Sequence, residues 1–369
     1  MFLDKYSEIT GKIESYLNDV LNSTTKNYEN IILKDFYKDI VRVMGAGKRL
    51  RPLSMIFAFN GIKNEVNDDI IKASVSCELV HNASLILDDA MDEDVVRHGK
   101  KTFNTIYADK FLKSVGFNFN AYKSGQSWIK KDSVLGIIEM QRNISRFSYA
   151  LSVLASNILY ELSEEVLNSQ FSKELRIKAL EQHRRMYLRL NEGQLLDILM
   201  EKRKINEKEY FEMIDEKTGI LFMYPIRIGL IFAGAKNYKV MDEYSLNMAR
   251  AFQIHDDILG SFGKSKRTGK PNDSDIKFGK NTLLAIKTLE YAKNQRKEKF
   301  KKAFGNRSAT KEEINGVRNI IKKTGAYKYC RAKEKELIKE AKNSIPKNLN
   351  KESRKFFEKL ADFAISRKF

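Results

Sequence analysis

An all-α fold of long helices is what this 369-residue sequence predicts, and three observations carry the prediction. Apolar residues recur at helical spacing from end to end, beginning with the stripe Ile9, Ile13, Tyr16 and Leu17. Only 4 prolines occur, so long helices can run unbroken. There is no series of alternating apolar and polar residues with hairpin turns, and no strand–helix–strand alternation.

The elements follow in order. Leu53 to Ala58 opens a helix just after Pro52, a residue tolerated in a first turn. One long helix covers roughly 70–96, and others run roughly 146–168, 173–201, 207–216, 218–234 and 241–259. The pattern breaks at about 107–143, where Gly116, Gly125 and Gly136 mix with aromatics including the only tryptophan, Trp128. That stretch reads as an inserted loop or short-helix excursion. No internal repeat or low-complexity linker divides the chain, so residues 1–369 are read as one domain.

Bulk composition narrows the function. No apolar run reaches the roughly 18 residues of a membrane span, and Met1-Phe2-Leu3-Asp4-Lys5 lacks the pattern of a signal peptide. Cys77 and Cys330 match no metal-ligand spacing and suit a reducing, cytoplasmic setting. The net charge of +19 suits anionic partners: nucleic acid, an acidic membrane surface or phosphorylated substrates. Its lysine clusters, such as Lys297 to Lys302, are interleaved with glutamate, the pattern of a solvated helix face rather than of a binding arm.

The chemistry lies in two acidic segments. Asp88, Asp89 and Asp92 follow Leu85-Ile86-Leu87, and helical spacing puts Asp88 and Asp92 on one face. Carboxylates crowded in this way need water, cations or a metal. Asp256 and Asp257 repeat the arrangement within Gln253-Ile254-His255-Asp256-Asp257-Ile258-Leu259-Gly260. Two such helices facing each other form an all-oxygen site that suits Mg²⁺, an ion that borrows ligands from substrate phosphates. The expected substrate is a diphosphate. Arg97, Lys270 and Lys280 supply positive charge beside the acidic segments.

At this point the motifs carry a family resemblance. They are Gly47-Lys48-Arg49-Leu50-Arg51-Pro52, His81 through Asp89, Glu192-Gly193-Gln194-Leu195-Leu196-Asp197, Lys217-Thr218-Gly219, Phe252 through Asp257, Thr268-Gly269-Lys270 and Asp275 through Lys280. In order and spacing the chain resembles the trans-isoprenyl diphosphate synthases (polyprenyl synthetases), in particular the archaeal geranylgeranyl type. The resemblance implies a single-domain bundle of mostly antiparallel helices around a central cavity, the isoprenoid synthase fold, and a cytoplasmic homodimer. It implies that Lys48, Arg51 and His81 bind isopentenyl diphosphate. Asp88, Asp92 and Asp256 would hold Mg²⁺ against the allylic diphosphate, which Arg97, Lys217, Thr218, Gln253, Lys270 and Lys280 would contact. The catalytic set is then Asp88, Asp89, Asp92, Lys217, Asp256 and Asp257. An allylic carbocation meets isopentenyl diphosphate in a dry pocket, and the proton then lost goes to the departed diphosphate.

The sequence departs from the family's pattern at four places. His98 stands where the family has the second arginine of an Arg-Arg-Gly motif, which predicts weaker or pH-dependent binding of isopentenyl diphosphate. Gly260 replaces a third aspartate in the second segment, as in archaeal members. A Gly-Asp pair is missing near Ala155-Ser156-Asn157. At the pocket floor, five residues before the first aspartate, Ala83 replaces an aromatic, and Ser84, Val80, Cys77 and Ser76 are small too. The product expected is geranylgeranyl (C20) or longer, such as geranylfarnesyl (C25). The alternatives are a catalytically degenerate partner subunit, a basic anion-binding protein and a terpene cyclase. Nucleic acid is not an expected partner, while the charge leaves room for peripheral association with an anionic membrane.

Overall fold

A computed structural model describes residues 2–26, 28–45, 47–97, 99–115, 134–168, 171–201, 203–263 and 273–366. The first half comprises α1 (Ser7–Thr25), α2 (Ile31–Met44), α3 (Leu50–Lys63), α4 (Asp68–Met91), a two-residue-per-strand hairpin of β1 (Val96–Arg97) and β2 (Lys100–Lys101), α5 (Phe103–Ser114) and α6 (Val134–Leu167). The second half comprises α7 (Lys173–Met200), α8 (Glu207–Ile214), a π-helical turn (Asp215–Gly219), α9 (Ile220–Phe232), α10 (Asp242–Phe262), α11 (Ser274–Phe278), α12 (Leu283–Tyr291), α13 (Asn294–Ala303), α14 (Lys311–Lys323), α15 (Ala326–Asn343) and α16 (Lys351–Ser366). The all-α expectation holds.

Local chemistry sets the boundaries. Asn30, Asn67, Thr102 and Thr282 accept hydrogen bonds from first-turn amides, and Asn206–Glu209 and Thr310–Glu313 form reciprocal capping boxes. Pro52 sits in the first turn of α3, as expected.

The bundle is organised around α9. It is apolar all round, with every residue but Arg227 buried, which marks a helix enclosed by others. It packs along α3, α4 runs along α6, and α10 runs along α15. Gly229 permits the α9–α3 contact, because a Cβ there would lie 3.0 Å from the Met55 carbonyl carbon and overlap its oxygen. By length and composition α4 alone among the described helices could cross a membrane, yet most of its apolar window is buried inside the bundle.

Two sequence expectations change. The helix expected to reach about residue 96 ends at Met91, because Glu93 adopts a left-handed φ of 55° and the chain turns into the hairpin. Helical structure also occupies both ends of the stretch read as an insertion: α5 runs to Ser114, and α6 begins at Val134. Residues 116–133, with Trp128, lie outside the described residues.

Candidate active site

The first acidic segment sits at the C-terminal end of α4, where unsatisfied carbonyls favour cations rather than carboxylates. Charge must therefore come from elsewhere in the fold. The hairpin folds Arg97 back onto the helix, where its Nε donates to Asp89 Oδ1 at 2.7 Å and its Nη2 to Asp88 Oδ2 at 3.4 Å. Lys217 Nζ lies 2.9 Å from Asp88 Oδ1, and Lys280 Nζ donates to Asp92 Oδ2 at 2.6 Å. Burial opposes the Asp88 charge, but Lys217 and Arg97 win and hold its carboxyl well below the usual range. For Asp92 the balance tips the other way: burial and the Asp88 charge raise its carboxyl despite Lys280.

Lys217 is itself placed by α7. Asp197 Oδ2 accepts from its ammonium at 2.6 Å, while one turn earlier Gly193 lets the π turn lie directly on the helix. A Cβ on Gly193 would stand 2.5 Å from the Glu216 carbonyl carbon and 2.8 Å from Glu216 Cβ. Burial would lower the pKa of Lys217, but Asp88 and Asp197 raise it, so the ammonium stays charged.

The next residue of the same turn reaches the second segment. Thr218 Oγ1 donates to Gln253 Oε1 at 3.3 Å, and Gln253 Nε2 donates to Asp257 Oδ1 at 2.9 Å. Tyr210 Oη donates to Asp257 Oδ2 at 2.7 Å. Burial, followed by the charge of Asp275, pushes the Asp257 carboxyl up to about 8. Asp256, next to it on α10, is half-buried. Lys217 and Thr218 thus tie the two acidic segments to one π turn.

Comparison with known proteins identifies the family. The polyprenyl synthetase family model matches residues 31–321. The chain belongs to that family. It is 31% identical to the geranylgeranyl diphosphate synthase of Sulfolobus acidocaldarius, over 84% of this chain and 84% of that one. It is also 31% identical to the enzyme of the same name from Saccharolobus solfataricus, over 96% of this chain and 97% of that one. The crystal structure of the geranylgeranyl pyrophosphate synthetase of Pyrococcus horikoshii superposes with a TM-score of 0.75 at 26% identity, covering 98% of this chain and 99% of that one.

This polyprenyl synthetase is a prenyltransferase, and its basic motif near residue 48 divides into two parts. Arg49, to which the sequence reading gave no role, is a buried anchor. It has a left-handed φ of 49° and bonds Glu14 Oε1 at 2.7 Å, Glu78 Oε1 at 2.5 Å and the Gly45 carbonyl at 2.7 Å. On either side of it, Lys48 is exposed with its ammonium 5.2 Å from the Phe363 ring, and Arg51 lies 4.9 Å from the Phe222 ring. His81 is held neutral: burial lowers its pKa well below the usual value, as do the charges of Arg51 and Arg97. Its Nδ1 is buried without a hydrogen-bond partner.

Other assignments separate in space. His98 and Lys270 lie outside the described residues. Ala83 is fully buried in the main core, whereas Val80 belongs to a separate apolar cluster with Met186, Leu190, Leu221 and Tyr224. Ser84 spends its hydroxyl on the His81 carbonyl at 2.7 Å. At that second cluster Tyr160 stacks on Tyr187 with ring centroids 3.6 Å apart. Sequence reasoning gave no role to Asp197, Gly193 or Tyr210. For the first two the available signal was their i, i+4 spacing within the Glu192–Asp197 motif; Tyr210 carried none.

The donor chemistry fits a divalent cation. Asp88, Asp92 and Asp256 offer carboxylate oxygens alone, and Asp88 and Asp92 already draw the ammonium groups of Lys217 and Lys280.

Proposed function

We propose that this polyprenyl synthetase condenses isopentenyl diphosphate with an allylic diphosphate to give an all-trans prenyl diphosphate of C20 or longer. Mg²⁺ would be held by Asp88, Asp92 and Asp256. The observation that carries the reading is the π turn, whose Lys217 meets Asp88 while Thr218 meets Gln253. One short segment therefore links both acidic helices and offers a cation between them.

The chemistry a divalent cation supplies there is neutralisation of the charge developing on the departing diphosphate. Lys217, Lys280 and Arg97 add fixed positive charge at the same place. Asp89 and Asp257 act through their neighbours: Asp89 holds Arg97, and Asp257 holds Gln253. On the isopentenyl side, Lys48 and Arg51 supply charge and His81 a neutral hydrogen bond. The apolar cluster beyond Val80 suits the growing prenyl chain, and the Tyr160–Tyr187 stack is the aromatic floor missing at Ala83.

A homodimer fits the exposed apolar residues. Ile177, Leu188, Leu195 and Leu199 form one stripe along α7, and Phe147 and Leu154 another on α6. The two free, buried cysteines suit a cytoplasmic enzyme. Incubation with Mg²⁺, labelled isopentenyl diphosphate and each allylic primer, followed by chain-length analysis, tests the whole reading. Absence of Mg²⁺-dependent diphosphate release overturns it, and salt-sensitive nucleic-acid binding in its place favours a basic anion-binding protein.

A further inference from the structure

The turn that carries Lys217 and Thr218 departs from ordinary α-helix. The Ile220 amide donates to the Asp215 carbonyl five residues back, which is the wide ring of a π turn set between α8 and α9. Such single turns are rare and cluster at functional sites. What holds this one comes from outside it.

Each of its first four residues is gripped by a neighbouring helix. The outer two face α10. Arg250 forks onto Asp215, its Nε donating to Oδ1 at 2.7 Å and its Nη2 to Oδ2 at 2.5 Å, while Gln253 one turn on accepts from Thr218. The inner two face α7. Arg189 forks onto Glu216, its Nε donating to Oε2 at 2.5 Å and its Nη2 to Oε1, while Asp197 accepts from the Lys217 ammonium. Arg189, Gly193 and Asp197 stand at i, i+4 and i+8 on α7. One face of that helix therefore holds the Glu216 carboxylate, the Glu216–Lys217 backbone and the lysine tip in succession.

Single ion pairs at a surface add little, but forked arginine–carboxylate pairs are the exception. Both carboxylates here are mostly buried, and the Arg250 guanidinium also lies 5.5 Å from the Phe211 ring. The forks have an electrostatic effect too. Asp215 and Glu216 put two negative charges directly before Lys217, and each arginine neutralises one. Among the described residues, neither arginine pairs with an aspartate of the two acidic segments, so both act on the site through the turn.

We propose that Arg189 and Arg250 are positioning residues for the reaction: gripping the π turn from α7 and α10, they fix the register that aims Lys217 at Asp88 and Thr218 at Gln253. This rests on the diphosphate reading of the site.

The test is steady-state kinetics on the full chain, with circular dichroism to report folding. Arg189→Gln and Arg250→Gln are each expected to slow turnover by about 10–10²-fold, the scale of a misplacement of about 1 Å. KM for isopentenyl diphosphate is expected to stay unchanged, since the turn holds none of Lys48, Arg51 and His81. Arg189→Lys and Arg250→Lys keep the charge without the fork and should recover only part of the rate; they carry the test where a glutamine variant fails to fold. In a Lys217→Gln background each arginine substitution is expected to cost much less, because the ammonium it places is gone. An equal loss in both backgrounds, or a rise in KM for isopentenyl diphosphate that matches the fall in turnover, marks a general structural effect and overturns the proposal. Wild-type turnover in both variants of either arginine overturns the role of that arginine and leaves the diphosphate reading intact. A wild-type chain that releases no diphosphate overturns both.

Discussion

Gly193 of α7 lies against the Glu216–Lys217 peptide so closely that a Cβ on it would stand 2.5 Å from the Glu216 carbonyl carbon. One turn later Asp197 accepts from the Lys217 ammonium at 2.6 Å. The two residues hold the same lysine by its main chain and by its tip. Gly193→Ala is therefore expected to push the π turn off α7, costing about 1–3 kcal/mol as an overpacked contact. Melting temperature and turnover should fall together. An alanine variant that melts and turns over like the wild type removes the proposed role of this contact.

Lys217 carries charge to Asp88, and removal of one such preorganised group typically slows turnover by about 10²–10³. Lys217→Gln is expected to fall in that range at saturating Mg²⁺. Asp197→Asn should cost less, since Asp88 still holds the ammonium. If the asparagine variant is the slower of the two, Asp197 does more than hold Lys217.

Arg49 is an anchor with its side chain buried against Glu14 and Glu78. Arg49→Met leaves the Glu78 charge buried without its partner, a change expected to cost about 3–5 kcal/mol. Arg49→Lys should recover only part, because a lysine cannot reproduce the forked contacts to Glu14, Glu78 and Gly45. Urea unfolding of both variants measures this, and equal stability of all three proteins argues against it.

Product length distinguishes two floors. Val80→Phe, in the cluster bearing Tyr160 and Tyr187, is expected to shorten the product, and Tyr187→Ala to lengthen it. Ala83→Phe should also shorten it, but at an overpacking cost of about 1–3 kcal/mol because Ala83 is fully buried. Chromatography of the prenyl alcohols decides. Unchanged length in all three variants rules out a floor in this region.

His183 gives a pH signature away from the acidic site. Fully buried beside Ser163, it has its pKa lowered to about 4, chiefly by burial. The unfolded chain takes up its proton near pH ~6.5, whereas the folded chain stays neutral until about 4. Stability from this group is thus complete above the unfolded pKa and declines as pH falls toward the folded one, by about 1.4 kcal/mol per unit. His183→Asn should flatten the loss between pH 7 and 5 in urea unfolding. A slope unchanged from wild type excludes His183 as its source.

Much of the site was legible because its signals are local. The Asp88–Asp92 and Asp256–Asp257 segments and Lys280 stood out as charged residues in apolar or glycine-flanked surroundings, whereas Lys217 was marked by the family resemblance alone. His98 and Lys270, also singled out, lie outside the described residues. Arg49 looked like one more cation in a basic motif, and only its burial against Glu14 and Glu78 reveals an anchor. The end of α4 at Met91 was illegible for a related reason: the ion pairs of Arg97 with Asp88 and Asp89 accompany the turn there, and propensity does not register them.

The sequence by itself determined the all-α class, the order of the long helices and the identity of the acidic and basic groups, since periodicity and residue type are properties of the chain. The tertiary structure alone decided how those groups pair. Asp257 turns to Tyr210, Asp92 to Lys280, and Asp275 to the space left by Gly260. These partners are far apart in sequence or on different elements. Their distances depend on how α4, α8, α10 and α11 pack, and no local pattern encodes that.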